Sequence, residues 1–96
     1  MRLIVWTLSA RADLRGIDVW LEREASTEMA LSTLLAIRDR ADFLARFPHG
    51  GRPHPDGTRV LRVFRTPYLI RYRLAGERVE VLRVHHERED WVSFPS

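Results

Sequence analysis

A chain of 96 residues, 45% hydrophobic and 30% charged, holds one modest core, so one domain across residues 1–96 is expected and a disordered or membrane-spanning polypeptide is excluded. Cysteine is absent, which removes disulfides, a thiolate nucleophile and cysteine-based zinc sites and suits a reducing cytoplasm. The net charge is +3 and all 16 basic side chains are arginine, so what matters is where the arginines cluster.

The run Leu3 to Trp6 is β-branched and aromatic and reads as a short buried strand. It is too short for the apolar region of a secretion signal, so export and membrane insertion are not expected. Thr7 or Ser9 then offers a capping oxygen to a helix over Ala10 to Glu24, with Leu14, Ile17 and Leu21 on one side. Ser26 or Thr27 caps a second helix from Glu28 to about Arg46. Its residues Ala30, Leu34, Ile37, Ala41 and Leu44 form one apolar stripe, opposite the solvated Arg38, Asp39, Arg40 and Asp42.

Residues 47–57 contain three prolines and three glycines, and a loop without regular structure is expected there. Three strands follow: Arg59 to Arg65, Tyr68 to Leu74 and Arg78 to His86, joined by turns at Thr66-Pro67 and Ala75 to Glu77. The order β, α, α, β, β, β predicts an α+β fold. An N-terminal strand and a helical hairpin lead into a three-stranded antiparallel meander, with both helices on one face of the sheet. The first strand is expected at an edge or beside the last strand. Trp91, Val92 and Phe94 suggest a tail that docks on the domain.

Between Arg52 and Arg88 nine arginines accompany four acids, a surplus of five positive charges that calls for an anionic partner, either nucleic acid or an acidic polypeptide. Alternation along the strands sorts these arginines by face. A two-residue turn at Thr66-Pro67 sets Val63 across from Ile70 and Leu61 across from Tyr72, facing the helices. The other face then carries Arg62, Phe64, Leu69, Arg71 and Arg73. An odd loop after Leu74 places Leu82 and Val84 in the core and Arg83 and His85 beside Arg71; an even loop would bury Arg83 at a cost of several kcal/mol. The alternative for the whole cluster is a solvated sheet face whose charges keep an edge soluble.

The ordered series Thr7, Ala10, Asp13, Leu14, Ile17; Pro48, Gly51, Arg52; Gly57, Arg59, Leu61, Arg62; Pro67, Tyr68, Leu69, Ile70, Tyr72, Arg73; and Val81 to His86 with Arg88 and Trp91 resembles the RelE/ParE toxin superfamily along nearly the whole chain. The phrases Pro67 to Arg73 and Val81 to His86 are closer to its ParE branch. The resemblance implies the toxin of a type II toxin–antitoxin pair, a cytoplasmic, growth-arresting and plasmid-stabilising protein held in a hetero-oligomer by a cognate antitoxin. ParE-like members poison DNA gyrase; RelE-like members cut mRNA in the ribosome. No cofactor, metal or membrane partner is implied.

For target or antitoxin binding the expected residues are Arg52, Arg59, Arg62, Arg71, Arg73, Arg83, His85, Arg88 and Trp91. If the chain were a ribonuclease, Arg59, Arg62 and Arg83 would supply cations, and His85 or His86 would supply acid or base. The same histidines read more readily as capping or tail-packing groups after the last strand than as catalysts. His49, His54 and Asp56 could suggest a metal, but their loop lacks helix-spaced ligands. Trp6, Trp20 and Trp91 read as core or partner contacts.

Overall fold

A computed structural model describes residues 1–89, so Trp91 and the rest of the tail lie outside the described residues. The elements are β1 (Leu3–Trp6), α1 (Leu8–Glu24), α2 (Thr27–Phe43), β2 (Arg52–Pro53), β3 (Arg59–Arg62), β4 (Tyr68–Ala75) and β5 (Arg78–His86). They form a five-stranded sheet in the order β1-β5-β4-β3-β2. No helix among the described residues is long and apolar enough to cross a membrane.

Both helices begin at the expected caps. The Thr7 hydroxyl accepts the Ala10 amide at 3.2 Å and sits 2.9 Å from the Val81 carbonyl, so one side chain starts α1 and fixes it to β5. Ser26 accepts the Met29 amide at 3.0 Å and opens α2. That helix stops at Phe43 rather than near Arg46. The amides of Leu44, Ala45 and Arg46 bond three residues back, to Ala41, Asp42 and Phe43, tightening the last turn ahead of Pro48.

The core lies between the helical hairpin and one face of the sheet. Ala10, Ile37, Ala41 and Leu44 meet Leu61, Val63, Tyr68, Ile70, Tyr72, Val79, Val81 and Val84, all buried. Each large apolar side chain there contributes about 1.5–3 kcal/mol by leaving water.

Three features differ from expectation. The sheet is mixed, because β1 is both at the edge and beside the last strand, parallel to β5, with Leu3 opposite Arg78 and Trp6 opposite Val81. The proline-rich loop holds a two-residue strand: Arg52 pairs with Val60 and Pro53 with Arg59. The His54 amide then reaches the Thr58 carbonyl at 2.8 Å, completing a small hairpin. Proline is tolerated there because β2 is an edge strand and the ladder does not need its missing amide.

The turns also shift the registers. β3 ends at Arg62 and the turn occupies residues 63–67, so Leu61 faces Ile70 rather than Tyr72. A shift of two keeps the paired strand residues on their expected faces, but Phe64, expected beside Arg62 on the face away from the helices, lies in the turn with its ring against Arg40 of α2. The β4–β5 hairpin closes evenly, with Ala75 opposite Arg78 and Gly76 at φ 59, the left-handed region that glycine enters without a Cβ clash. A β-bulge then intervenes: Tyr72 pairs with Val81 but Arg71 with Arg83, so Leu82 is the extra residue. Val81, not Leu82, joins Val84 in the core, and Arg83 and His85 emerge on the expected face without an odd loop.

Candidate functional site

The sheet face away from the helices carries two cross-strand rows. Arg62, Leu69 and His85 form one, and Arg52, Val60, Arg71 and Arg83 form the other. Arg73 follows on the same face beyond Arg71. The structure therefore brings Arg52, Arg62, Arg71, Arg73, Arg83 and His85 to one surface, but it does not leave them equivalent.

Arg71 is only 2% exposed. It ion-pairs with Asp56 in the β2–β3 turn, and its Nε donates to Thr58 Oγ1 at 3.3 Å. Asp56 also accepts the Thr58 amide at 2.9 Å and lies 3.2 Å from His54 Nδ1. The Thr58 hydroxyl and amide, followed by Arg71 and His54, hold the Asp56 carboxyl well below the usual carboxylate range against the opposing effect of burial. The anticipated open cationic face is in this row a covered ion pair, because the turn from His54 to Thr58 folds over it.

Arg83 is held from the other direction. Its Nε and Nη2 donate to the two carboxylate oxygens of Asp13, at 2.8 and 3.0 Å, and Asp13 Oδ2 also accepts the Val84 amide at 2.8 Å. β1 pairs with β5 only as far as Val81, so among the described residues no strand covers the edge at Val84, and the α1 carboxylate serves as its acceptor. The hydrogen bonds that Arg83 donates to Asp13 push its guanidinium pKa above the ordinary value, against the opposing effect of burial.

His85 is fully buried. Burial lowers its pKa, outweighing the opposite pull of Glu89, whose Oε1 lies 3.5 Å from Nδ1. His86 points to the helix side, edge-on to Tyr68 at 5.5 Å between centroids, and its Nδ1 accepts the Arg88 amide at 3.1 Å. The neighbouring histidines thus face opposite sides of the sheet. Arg59 also stands apart, on the helix side, donating to the Gly51 carbonyl at 2.9 Å.

The more exposed cations are paired at the rim. Arg62 lies 3.6 Å from Glu87, and Arg73 bonds Glu80 at 2.7 Å, which keeps that carboxyl below its ordinary value. Arg52 and Arg88 are exposed. Between α1 and the ends of β4 and β5 runs a groove of about 420 Å³, where Gly16 and Trp20 face Tyr68, Val84, His86 and Glu89. Trp20 is 52% exposed there.

The sequence reading missed the carboxylates that organise the site. In the sequence Asp56 reads only as a candidate metal ligand, and Asp13 only as part of the resemblance. A signal for Asp13 existed: it shares the helical stripe of Ala10, Leu14 and Ile17, and a carboxylate on an apolar stripe requires a partner in the fold.

Residues 4–91 match the family described as the ParE toxin of the type II toxin–antitoxin system, parDE. The chain is 36% identical over 86 residues to Toxin RelE2 of Caulobacter vibrioides, covering 90% of this chain and 96% of that protein. Among solved structures, a chain of the chromosomal ParDE toxin–antitoxin system of P. aeruginosa superposes with a TM-score of 0.80 at 27% identity, over 90% of this chain and 96% of that one. A chain of the toxin–antitoxin complex RelBE2 of Mycobacterium tuberculosis gives 0.66 at 27% identity, over 88% and 96%.

Proposed function

The chain belongs to the ParE toxin family of type II toxin–antitoxin systems, and from that membership we propose that it arrests growth by binding DNA gyrase rather than by cutting RNA, and that a cognate antitoxin neutralises it. One observation carries the choice between binding and catalysis: the cations and imidazoles that RNA cleavage would need do not converge on an open site. General acid–base work requires a titrating group within reach of substrate. His85 is fully buried, His86 faces the other side of the sheet, Arg83 is engaged by Asp13 and Arg59 is turned to loop carbonyls. What remains outside is a rim of exposed arginine, which suits recognition.

The antitoxin reading draws on the same rim and on the groove beside α1. Arg52, Arg62, Arg73 and Arg88 offer charge-assisted hydrogen bonds to an acidic segment, and Trp20, Tyr68 and Val84 offer apolar area to the same segment if it folds on contact. The Arg71 and Arg83 guanidinium groups, already matched by carboxylates, serve the fold instead.

Purified chain incubated with gyrase, ATP and plasmid DNA is expected to accumulate cleaved DNA, while translating ribosomes supplied with the chain yield intact mRNA. Cuts in the mRNA at the ribosomal A site without DNA cleavage would reverse the assignment and place the chain with the RelE-like nucleases.

A further inference from the structure

A second surface lies apart from the arginine rows, where the end of α2 meets the β3–β4 turn. Arg40 donates its Nε to the Arg62 carbonyl at 2.7 Å. That bond holds its guanidinium over two rings, 4.8 Å from the Phe43 centroid and 4.2 Å from that of Phe64. Phe43 in turn stacks on Phe47, with centroids 4.9 Å apart and planes 25° from parallel. Three rings and one guanidinium make a continuous run of planar contacts. None of these side chains belongs to the core cluster, and Phe64 and Phe47 are 65% and 56% exposed.

Large rings left in water at adjoining positions are unusual enough to need a reason. The backbone adds a second sign. Arg65, directly after Phe64, has φ 65, a left-handed conformation that a residue with a Cβ adopts at a cost, and such strain persists where surrounding structure or function holds it. Arg46 and Arg65, next in sequence to Phe47 and Phe64, are both exposed. Planar apolar faces interleaved with guanidinium groups fit a ligand that is itself a run of flat rings on an anionic backbone.

We propose that the Arg40, Phe43, Phe47 and Phe64 ladder is a stacking platform for the unpaired bases of a single-stranded nucleic acid, whose phosphates meet Arg46 and Arg65. Unstacked bases lie on aromatic and guanidinium planes irrespective of sequence, whereas a duplex keeps its ring faces to itself. The proposal does not depend on the gyrase reading, since the oligonucleotide is tested with no gyrase present.

Fluorescence anisotropy with a labelled oligothymidylate of about twelve nucleotides tests it, within the footprint of a small single-strand site. The full chain is expected to bind at low salt, with affinity falling as salt rises, and to prefer the oligonucleotide over a duplex of the same length. F64A and F47A are each expected to weaken binding about tenfold, while F64W retains it. F64L keeps apolar bulk without a ring face and should weaken binding like F64A, which separates lost stacking from lost folding. Equal binding by the parent, F64A and F64L overturns the proposal, as does equal affinity for the duplex. Variants that lose antitoxin or gyrase binding with oligonucleotide binding unchanged would also overturn it and assign the ladder to a protein contact.

Discussion

Arg71 and Arg83 stand opposite one another across β4 and β5, two like charges in adjacent positions, and each turns to a carboxylate from a different part of the chain. Arg71 meets Asp56 of the β2–β3 turn, and Arg83 meets Asp13 of α1. Like charges directly opposite destabilise a sheet. Here they become two fasteners, one for the loop and one for the helix.

Replacing Asp13 by alanine is expected to destabilise the fold by about 2–4 kcal/mol, because it strips a half-buried guanidinium of a bidentate partner and leaves the Val84 amide without an acceptor. Urea unfolding of D13A against the parent checks this. A change within about 0.5 kcal/mol, typical of a surface site, would show that water replaces Asp13 at no loss.

Stability should fall with acid in two stages. The His85 pKa is lowered by burial, so the folded state resists protonation and stability declines as pH drops below about 6.5, the ordinary histidine value. Asp56 is likewise depressed; its contribution is intact above the ordinary carboxylate value near 4 and is lost as pH falls towards its folded pKa. Thermal melts across pH should show the upper stage disappear in H85Q and the lower one shrink in D56N.

Gly51 admits no side chain. A Cβ there would lie 2.7 Å from Tyr72 Cε1 and 2.9 Å from the Val60 carbonyl oxygen, and the Gly51 amide donates to the Tyr72 hydroxyl at 2.9 Å. G51A is expected to cost about 1–3 kcal/mol by overpacking. Y72F, which loses that bond and the one donated to the Pro48 carbonyl at 2.8 Å, should cost about 1–3 kcal/mol. Denaturant midpoints measure both.

R65G is expected to stabilise the chain by about 1 kcal/mol, since glycine relieves the left-handed strain at φ 65. A lower melting temperature in R65G would mean that the arginine side chain contributes more than its backbone conformation costs.

The sequence conveyed the helices, their caps and the inward faces of β3 and β4, because these depend on local spacing. Ala10, Ile37, Ala41, Leu61, Ile70 and Val84 are all in the core. It conveyed less about the arginines, because a side chain's exposure depends on what folds over it. Nothing in Arg71 itself shows that its partner is Asp56, a turn residue fifteen positions earlier. The bulge at Leu82 was equally hidden: both hairpin loops weighed from the sequence assumed one register along β5, and the strand uses two. The exposed rings of Phe43, Phe47 and Phe64 looked ordinary in sequence and become notable only when Arg40 links them.

The parallel pairing of β1 with β5 sets an order of events for a newly made chain. Thr7 and Val81, 74 residues apart in sequence, share the bond that anchors α1, and Trp6 also waits for Val81. Contacts of such wide separation form late, so a polypeptide still under synthesis carries its first strand unmatched until the fifth has emerged. Any hazard this protein poses to the cell that makes it therefore begins only after translation of β5, which leaves an interval in which an inhibitor already present can be waiting.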